Sequence, residues 1–149
     1  MESLETIDGL GRPIETENAV HTRTRTAYDA EGRTIFASLP FGETEADPPG
    51  LRTCYDGLGR VIREAHVRQS EVPTACGSGV PSRTRTYDDS AHTVTVYDEE
   101  GRRTVLTYRG FGHPDDARLT TVVDAKNQSW NYDVQRPGRV DACGGPRWR

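Results

Sequence analysis

The sequence predicts an all-β protein, built of stacked antiparallel β-hairpin repeats that form a curved sheet. Three observations carry this. A short phrase with a turn-forming centre recurs along the chain. The segments between its copies are rich in β-branched and aromatic residues. Nine Pro and 15 Gly punctuate the chain throughout, and no long window holds helical periodicity.

The phrase first stands as Ile7-Asp8-Gly9-Leu10-Gly11-Arg12. It returns as Tyr28-Asp29-Ala30-Glu31-Gly32-Arg33, as Tyr55-Asp56-Gly57-Leu58-Gly59-Arg60 and as Tyr97-Asp98-Glu99-Glu100-Gly101-Arg102. A weaker fifth copy is Val123-Asp124-Ala125-Lys126-Asn127-Gln128, and a degenerate one is Tyr87-Asp88-Asp89-Ser90-Ala91-His92. Successive Asp positions of the five lie 21, 27, 42 and 26 residues apart. Asp-x-x-Gly fits a type I turn followed by a left-handed residue, the three-residue hairpin loop with a G1 bulge. Asp accepts a hydrogen bond from the backbone two residues on. Gly takes φ > 0 without a Cβ clash, and Asn127 is the next-best residue for that conformation. Hairpin turns are therefore expected near residues 8–11, 29–32, 56–59, 98–101 and 124–127. Each Asp then faces the following Arg: Asp8 with Arg12, Asp29 with Arg33, Asp56 with Arg60, Asp98 with Arg102.

The flanks read as strands. His92 to Tyr97 alternates polar and β-branched residues, and Arg103 to Tyr108 is rich in Thr, Val and Tyr. The same register pairs Val94 with Leu106 and Cys54 with Ile62 on one face. Residues 1–132 form the repeat region. Residues 133–149 form an irregular tail, in which Asn131-Tyr132-Asp133-Val134 starts another phrase but the expected Gly is displaced by one. The tail reads as the truncated or frame-shifted end of a longer gene, or as a short native end.

Composition bounds the function. Leu, Ile, Val and Phe supply only about a sixth of the residues, which suits a thin two-sided sheet better than a thick core. A net charge of −4 is modest for a disordered chain. All but one of the 19 basic residues are Arg. No apolar run approaches the length of a membrane span, and the N-terminus lacks the basic-then-apolar pattern of a secretory signal. Cys54, Cys76 and Cys143 make neither a clear disulfide framework nor a zinc motif. Whether Cys54 and Cys76 are bonded stays open, and export would favour the bond.

The recurring phrases resemble the YD repeat of the rearrangement-hotspot (Rhs) family, whose pattern is roughly Tyr-Asp-x-x-Gly-Arg followed by an aliphatic strand. "YDGLGRVIREA", "YDAEGRTIFASLPFG" and "YDEEGRRTVLTYRGFG" carry the resemblance. It runs from Ile7 to about Tyr132. The family includes bacterial polymorphic toxins, the shell subunits of insecticidal toxin complexes and the teneurins of animal neurons. The resemblance implies a hollow β-shell that encloses a C-terminal toxin or presents a surface for adhesion. It implies a non-catalytic structural module, secreted or at the cell surface. The expected partners are further repeats or a C-terminal toxin of the parent protein. Full-length members often end in a segment with an aspartate autoprotease. The cluster His113-Pro114-Asp115-Asp116 does not resemble it.

The remaining candidates have bland readings. Calcium requires six to eight converging oxygens, whereas each turn Asp has Gly and Arg for neighbours. Cys54, His66 and Cys76 match no usual zinc spacing. The stretches Thr22 to Thr26 and Ser82 to Thr86 place Arg on one strand face and read as solvated strands or as lining of a polar lumen. Net acidity argues against a nucleic-acid partner. The glycines of Gly9-Leu10-Gly11 and Gly57-Leu58-Gly59 precede strands, so no dinucleotide site is expected. No cofactor, metal or catalytic group is expected. An adhesion function toward carbohydrate or a cell-surface protein would use the aromatics Tyr108, Phe111, Trp130 and Tyr132. Open sheet edges favour self-association.

Overall fold

The structure is a computed structural model that describes residues 3–74, 76–77, 79–110 and 117–133. Phe111, the His113–Asp116 cluster, Cys143 and all of the tail after Asp133 lie outside these residues. The described chain is all-β. Its one helical element is a single 3-10 turn, Gln69–Glu71. Among the described residues, no helix is long and apolar enough to cross a membrane.

The strands fall into two compact units, Met1–Arg83 and Thr84–Arg149. The first holds β1 (Leu4–Ile7), β2 (Pro13–Glu17), β3 (Arg23–Tyr28), β4 (Thr34–Ser38), β5 (Pro49–Tyr55) and β6 (Val61–Arg68). Each pairs antiparallel with the next in chain order. The second holds β7 (Arg83–Asp88), β8 (Thr93–Tyr97), β9 (Arg103–Arg109), β10 (Arg118–Val123) and β11 (Ser129–Asn131), again paired in chain order.

All five expected turns form. In the first, Asp8 N–H donates to Arg12 O at 2.9 Å and Gly11 N–H to Asp8 O at 3.0 Å. Those two bonds define a three-residue loop. The same pair of bonds recurs at Asp29, Asp56, Asp98 and Asp124. Gly11, Gly32, Gly59 and Gly101 have φ between 77° and 84°, and Asn127 has φ 61°.

The register departs from expectation just beyond the turn in the first unit. Cys54 faces Arg63, not Ile62, because the pairing shifts between Cys54 and Tyr55. Matching shifts occur between Thr6 and Ile7 and between Ala27 and Tyr28. The skipped residues are Ile14, Ile35 and Ile62, each three positions after the turn glycine. The fourth copy has Thr104 there, and its ladder runs unbroken from Tyr97↔Arg103 to Val94↔Leu106. A bulge of this kind adds local twist. A simple two-residue alternation cannot anticipate it.

The core of the first unit lies on one sheet face. Ala27, Phe36, Arg52 and Ala65 are successive register partners across β3 to β6, as are Gly50 and Val67. Phe36, Ala65 and Val67 are buried, and Val72 and Val80 from the loop after β6 pack on them. Burying one such Phe contributes about 1.5–3 kcal/mol. Gly50 makes the fit possible: a Cβ there would run into Ala37 O and come within 2.7 Å of the Phe36 ring. In the second unit the apolar partners are Val94, Leu106, Val122 and Trp130 in one row. Val96, on the same face of β8 as Val94, is the most buried of the unit's described residues.

Candidate functional site

The repeat residues assemble into a ladder along one end of the first unit. Strand direction alternates, so the turns at Asp8, Asp29 and Asp56 all fall on the same end of the strands. Within each turn the Asp side chain is fully engaged. Asp56 Oδ1 accepts the backbone N–H of Leu58 and of Arg60, both at 2.9 Å, and Oδ2 accepts Arg60 Nε at 2.7 Å. Asp8 and Arg12 repeat the pattern, with Nε to Oδ2 at 2.7 Å. Asp29–Arg33 and Asp98–Arg102 close at 2.6 Å. The carboxyls of Asp8 and Asp56 are held below the ordinary Asp value, first by the backbone N–H of the following Arg. At Asp29 and Asp98 lost hydration pushes upward, and the bonds from Arg33 and Arg102 outweigh it.

Tyr of one copy reaches back to Arg of the copy before. The Arg12 guanidinium lies 4.5 Å from the Tyr28 ring centre, and Arg33 lies 4.7 Å from that of Tyr55. A guanidinium at this distance is attracted to the negative ring face. The hydroxyls bind the neighbouring backbone: Tyr28 OH donates to Pro13 O at 3.0 Å, and Tyr55 OH to Thr34 O at 2.8 Å. Both acceptors are the residue immediately after the preceding Arg. Asp and Gly therefore shape a turn, while Arg and Tyr join it to its neighbour. Where the second half is missing, the Arg stands in solvent. The copy after Arg102 carries Val123 in place of Tyr, and Arg102 is 66% exposed against 28% for Arg12 and 31% for Arg33.

The other end of the first unit carries a turn that the phrase does not reveal. Asn18 N–H donates to Thr22 O and His21 N–H to Asn18 O, the same three-residue loop. Asn18 Oδ1 accepts the N–H of Val20 and of Thr22, and His21 takes φ 58° where the phrase has Gly. Asn is an amide copy of Asp, and His tolerates the left-handed region better than most residues. That substitution was the available signal. The degenerate copy at Tyr87-Asp88 is also a hairpin turn, with Asp88 Oδ1 accepting Ala91 N–H. It joins β7 to β8, at the opposite end of the strands from the turns at Asp98 and Asp124.

Around His21 the charges condense. His21 Nδ1 lies 2.7 Å from Glu17 Oε1 and 3.1 Å from Glu43 Oε1. Arg23 Nε donates to Glu17 Oε2 at 2.9 Å, and Arg25 Nε to Glu15 Oε2 at 2.6 Å. The bond to Glu17, then the charge of Glu43, raises the His21 pKa above its ordinary value. The same bond, then Arg23, holds Glu17 low. Glu17, His21 and Glu43 present ligand-type atoms within 4.8 Å of one another, but Arg23 already brings a cation to both carboxylates. The Arg residues of Thr22 to Thr26 are thus paired with β2 carboxylates rather than solvated.

Cys54 and Cys76 form a disulfide, which settles what their spacing left open. His66 is exposed, and strand alternation puts it on the face of β6 opposite Ala65 and Val67. Of the four aromatics, Tyr108, Trp130 and Tyr132 share one face of the second unit by strand alternation, with Trp130 36% and Tyr132 49% exposed. No family model matches the chain, and no curated protein matches it.

Proposed function

We propose that this chain is a non-catalytic structural module of the YD-repeat kind, a run of hairpins forming part of the wall of an Rhs-type β-shell that encloses or presents a toxin. The Arg-to-Tyr ladder carries the reading. At two successive steps of the first unit it seats one repeat turn on the next, as a wall built by repetition requires. The engaged turn carboxylates support it too, because their lone pairs serve the fold. Strand β1, exposed at every position, presents an edge on which another hairpin can add. The test is protection. The chain is co-produced with the polypeptides encoded beside its gene and subjected to limited proteolysis. A wall segment shields a neighbour that is digested when alone, and equal digestion with and without the chain counts against the proposal.

A second reading, adhesion to carbohydrate, draws on Tyr108, Trp130 and Tyr132, whose shared face could stack on a sugar ring. A glycan array separates the two. Specific binding that Trp130→Ala abolishes favours adhesion, and an array without specific signal leaves the wall.

A further inference from the structure

Asn stands at positions 18, 127 and 131, and one of them opens an Asn-x-Ser triplet, Asn127-Gln128-Ser129. That triplet, with any residue but Pro in the middle, is the acceptor pattern for N-linked glycosylation. The structure puts it at the tip of the hairpin that joins β10 to β11. Asn127 takes the left-handed φ of 61°, and its N–H donates to Asp124 O at 3.0 Å. The side chain that braces this loop is that of Asp124, whose Oδ1 accepts the N–H of Lys126 at 2.9 Å and of Gln128 at 2.8 Å. At the Asn18 turn, by contrast, the Asn side chain itself does the bracing. Asn127 therefore serves its turn through its backbone conformation, and a group added to its amide nitrogen disturbs no bracing bond. Asn127, Gln128 and Ser129 are all exposed. Strand β11 has three residues and is exposed throughout, so the acceptor segment opens locally at low cost.

We propose that Asn127 is an acceptor for an N-linked glycan. The donor is an oligosaccharide carried on a lipid pyrophosphate. Asn127 Nδ2 forms a bond to the anomeric carbon, the bond from that carbon to the pyrophosphate oxygen breaks, and the lipid pyrophosphate leaves with the electron pair. The amide gives up one proton, and nothing is oxidised or reduced. The Cys54–Cys76 disulfide is an independent sign of a lumen or exterior in which thiols are oxidised, the setting in which such acceptors are used. At the turn, the glycan starts beyond the ends of β10 and β11, so their pairing stays intact.

The test is production of the full chain in a eukaryotic cell behind a cleavable secretion signal, with peptide mapping by mass spectrometry of both the secreted and the retained chain. The expected result is an oligosaccharide on Asn127 in the disulfide-bonded chain. Peptide N-glycosidase should remove it without denaturant and leave Asp at position 127, because the folded turn exposes the site. Ser129→Ala should abolish the glycan while leaving the urea midpoint unchanged, and Ser129→Thr should retain it. Unmodified Asn127 in a disulfide-bonded chain would overturn the proposal. So would a glycan that persists in Ser129→Ala, or a urea midpoint that rises when the glycan is released, which would show that the folded turn does not accommodate it.

Discussion

Asp56 divides its two carboxylate oxygens between the backbone of its own turn and the Arg60 side chain, and Gly59 turns the chain at φ 79°. Each role was legible from residue type alone, since Asp is the residue that caps such a loop and Gly the one that enters the left-handed region freely. The role of Tyr was not legible, because it acts on the preceding repeat, and sequence spacing says nothing of which Arg lies beneath a ring. Two predictions belong at this scale. Gly59→Val is expected to cost about 1–2 kcal/mol, the penalty of a left-handed residue bearing a Cβ. Leu58→Val, at a position 75% exposed, should stay within about 0.5 kcal/mol. A Cβ at Gly59 meets only Arg33 Nη1 at 3.7 Å, so the penalty is conformational rather than steric. Gly50→Ala should fail for the opposite reason. Its Cβ has no room between Ala37 O and the Phe36 ring, and overpacking of this kind costs about 1–3 kcal/mol. Urea melts of the three variants rank these costs, and equal losses at Gly59 and Leu58 would refute the turn assignment.

Hairpins are the elements, and the phrase located five of them because Asp and Gly mark the loop directly. The bulges at Ile14, Ile35 and Ile62 escaped, since a residue added to one strand changes no local preference and shows only in the pairing. The Asn18–Thr22 loop escaped because Asn and His stand in for Asp and Gly. Its His21 gives the first unit a pH response with two sides. The carboxyls of Asp8, Asp29 and Asp56 sit below 3.8 and that of Glu17 below 4.5, so their contribution is complete above those values. It is lost as pH falls through the depressed folded values. His21 sits above 6.5, so its contribution is complete below 6.5 and is lost as pH rises through the raised value. Stability should therefore be flat between about 4.5 and 6.5 and decline on both sides. His21→Asn keeps a residue that accepts φ > 0 and removes the titrating ring. Thermal melts against pH should then lose the alkaline decline and keep the acid one. An alkaline decline of the same size in the variant would remove His21 from the explanation.

For the whole molecule, the turn series indicated stacked hairpins and the scarcity of large apolar residues indicated a thin sheet, and the all-β structure agrees with both. What the sequence could not display is how a thin sheet of this kind stays together. One answer is the disulfide, which joins positions 22 residues apart. Closing a loop of that length in the unfolded chain is worth about 3 kcal/mol, so reduction should lower the melting midpoint in urea. An unchanged midpoint would show that the bond constrains nothing in the unfolded state. The other answer is the coupling of neighbouring turns, on which the account of a wall built by repetition rests. The most direct measurement is a double-mutant cycle on Arg33 and Tyr55, with Arg33→Gln, Tyr55→Leu and the double variant compared with the parent chain by urea unfolding. Arg12 and Tyr28 serve as a second pair, and Arg12 with Tyr55, on β5 three strands along from β2 in the first unit, as the control. The ladder predicts that both ladder pairs depart from additivity by more than the few tenths of a kcal/mol within which independent sites add, and that the control does not. Additive effects at Arg33 and Tyr55 would show that the turns fold side by side without supporting one another, and would contradict the account.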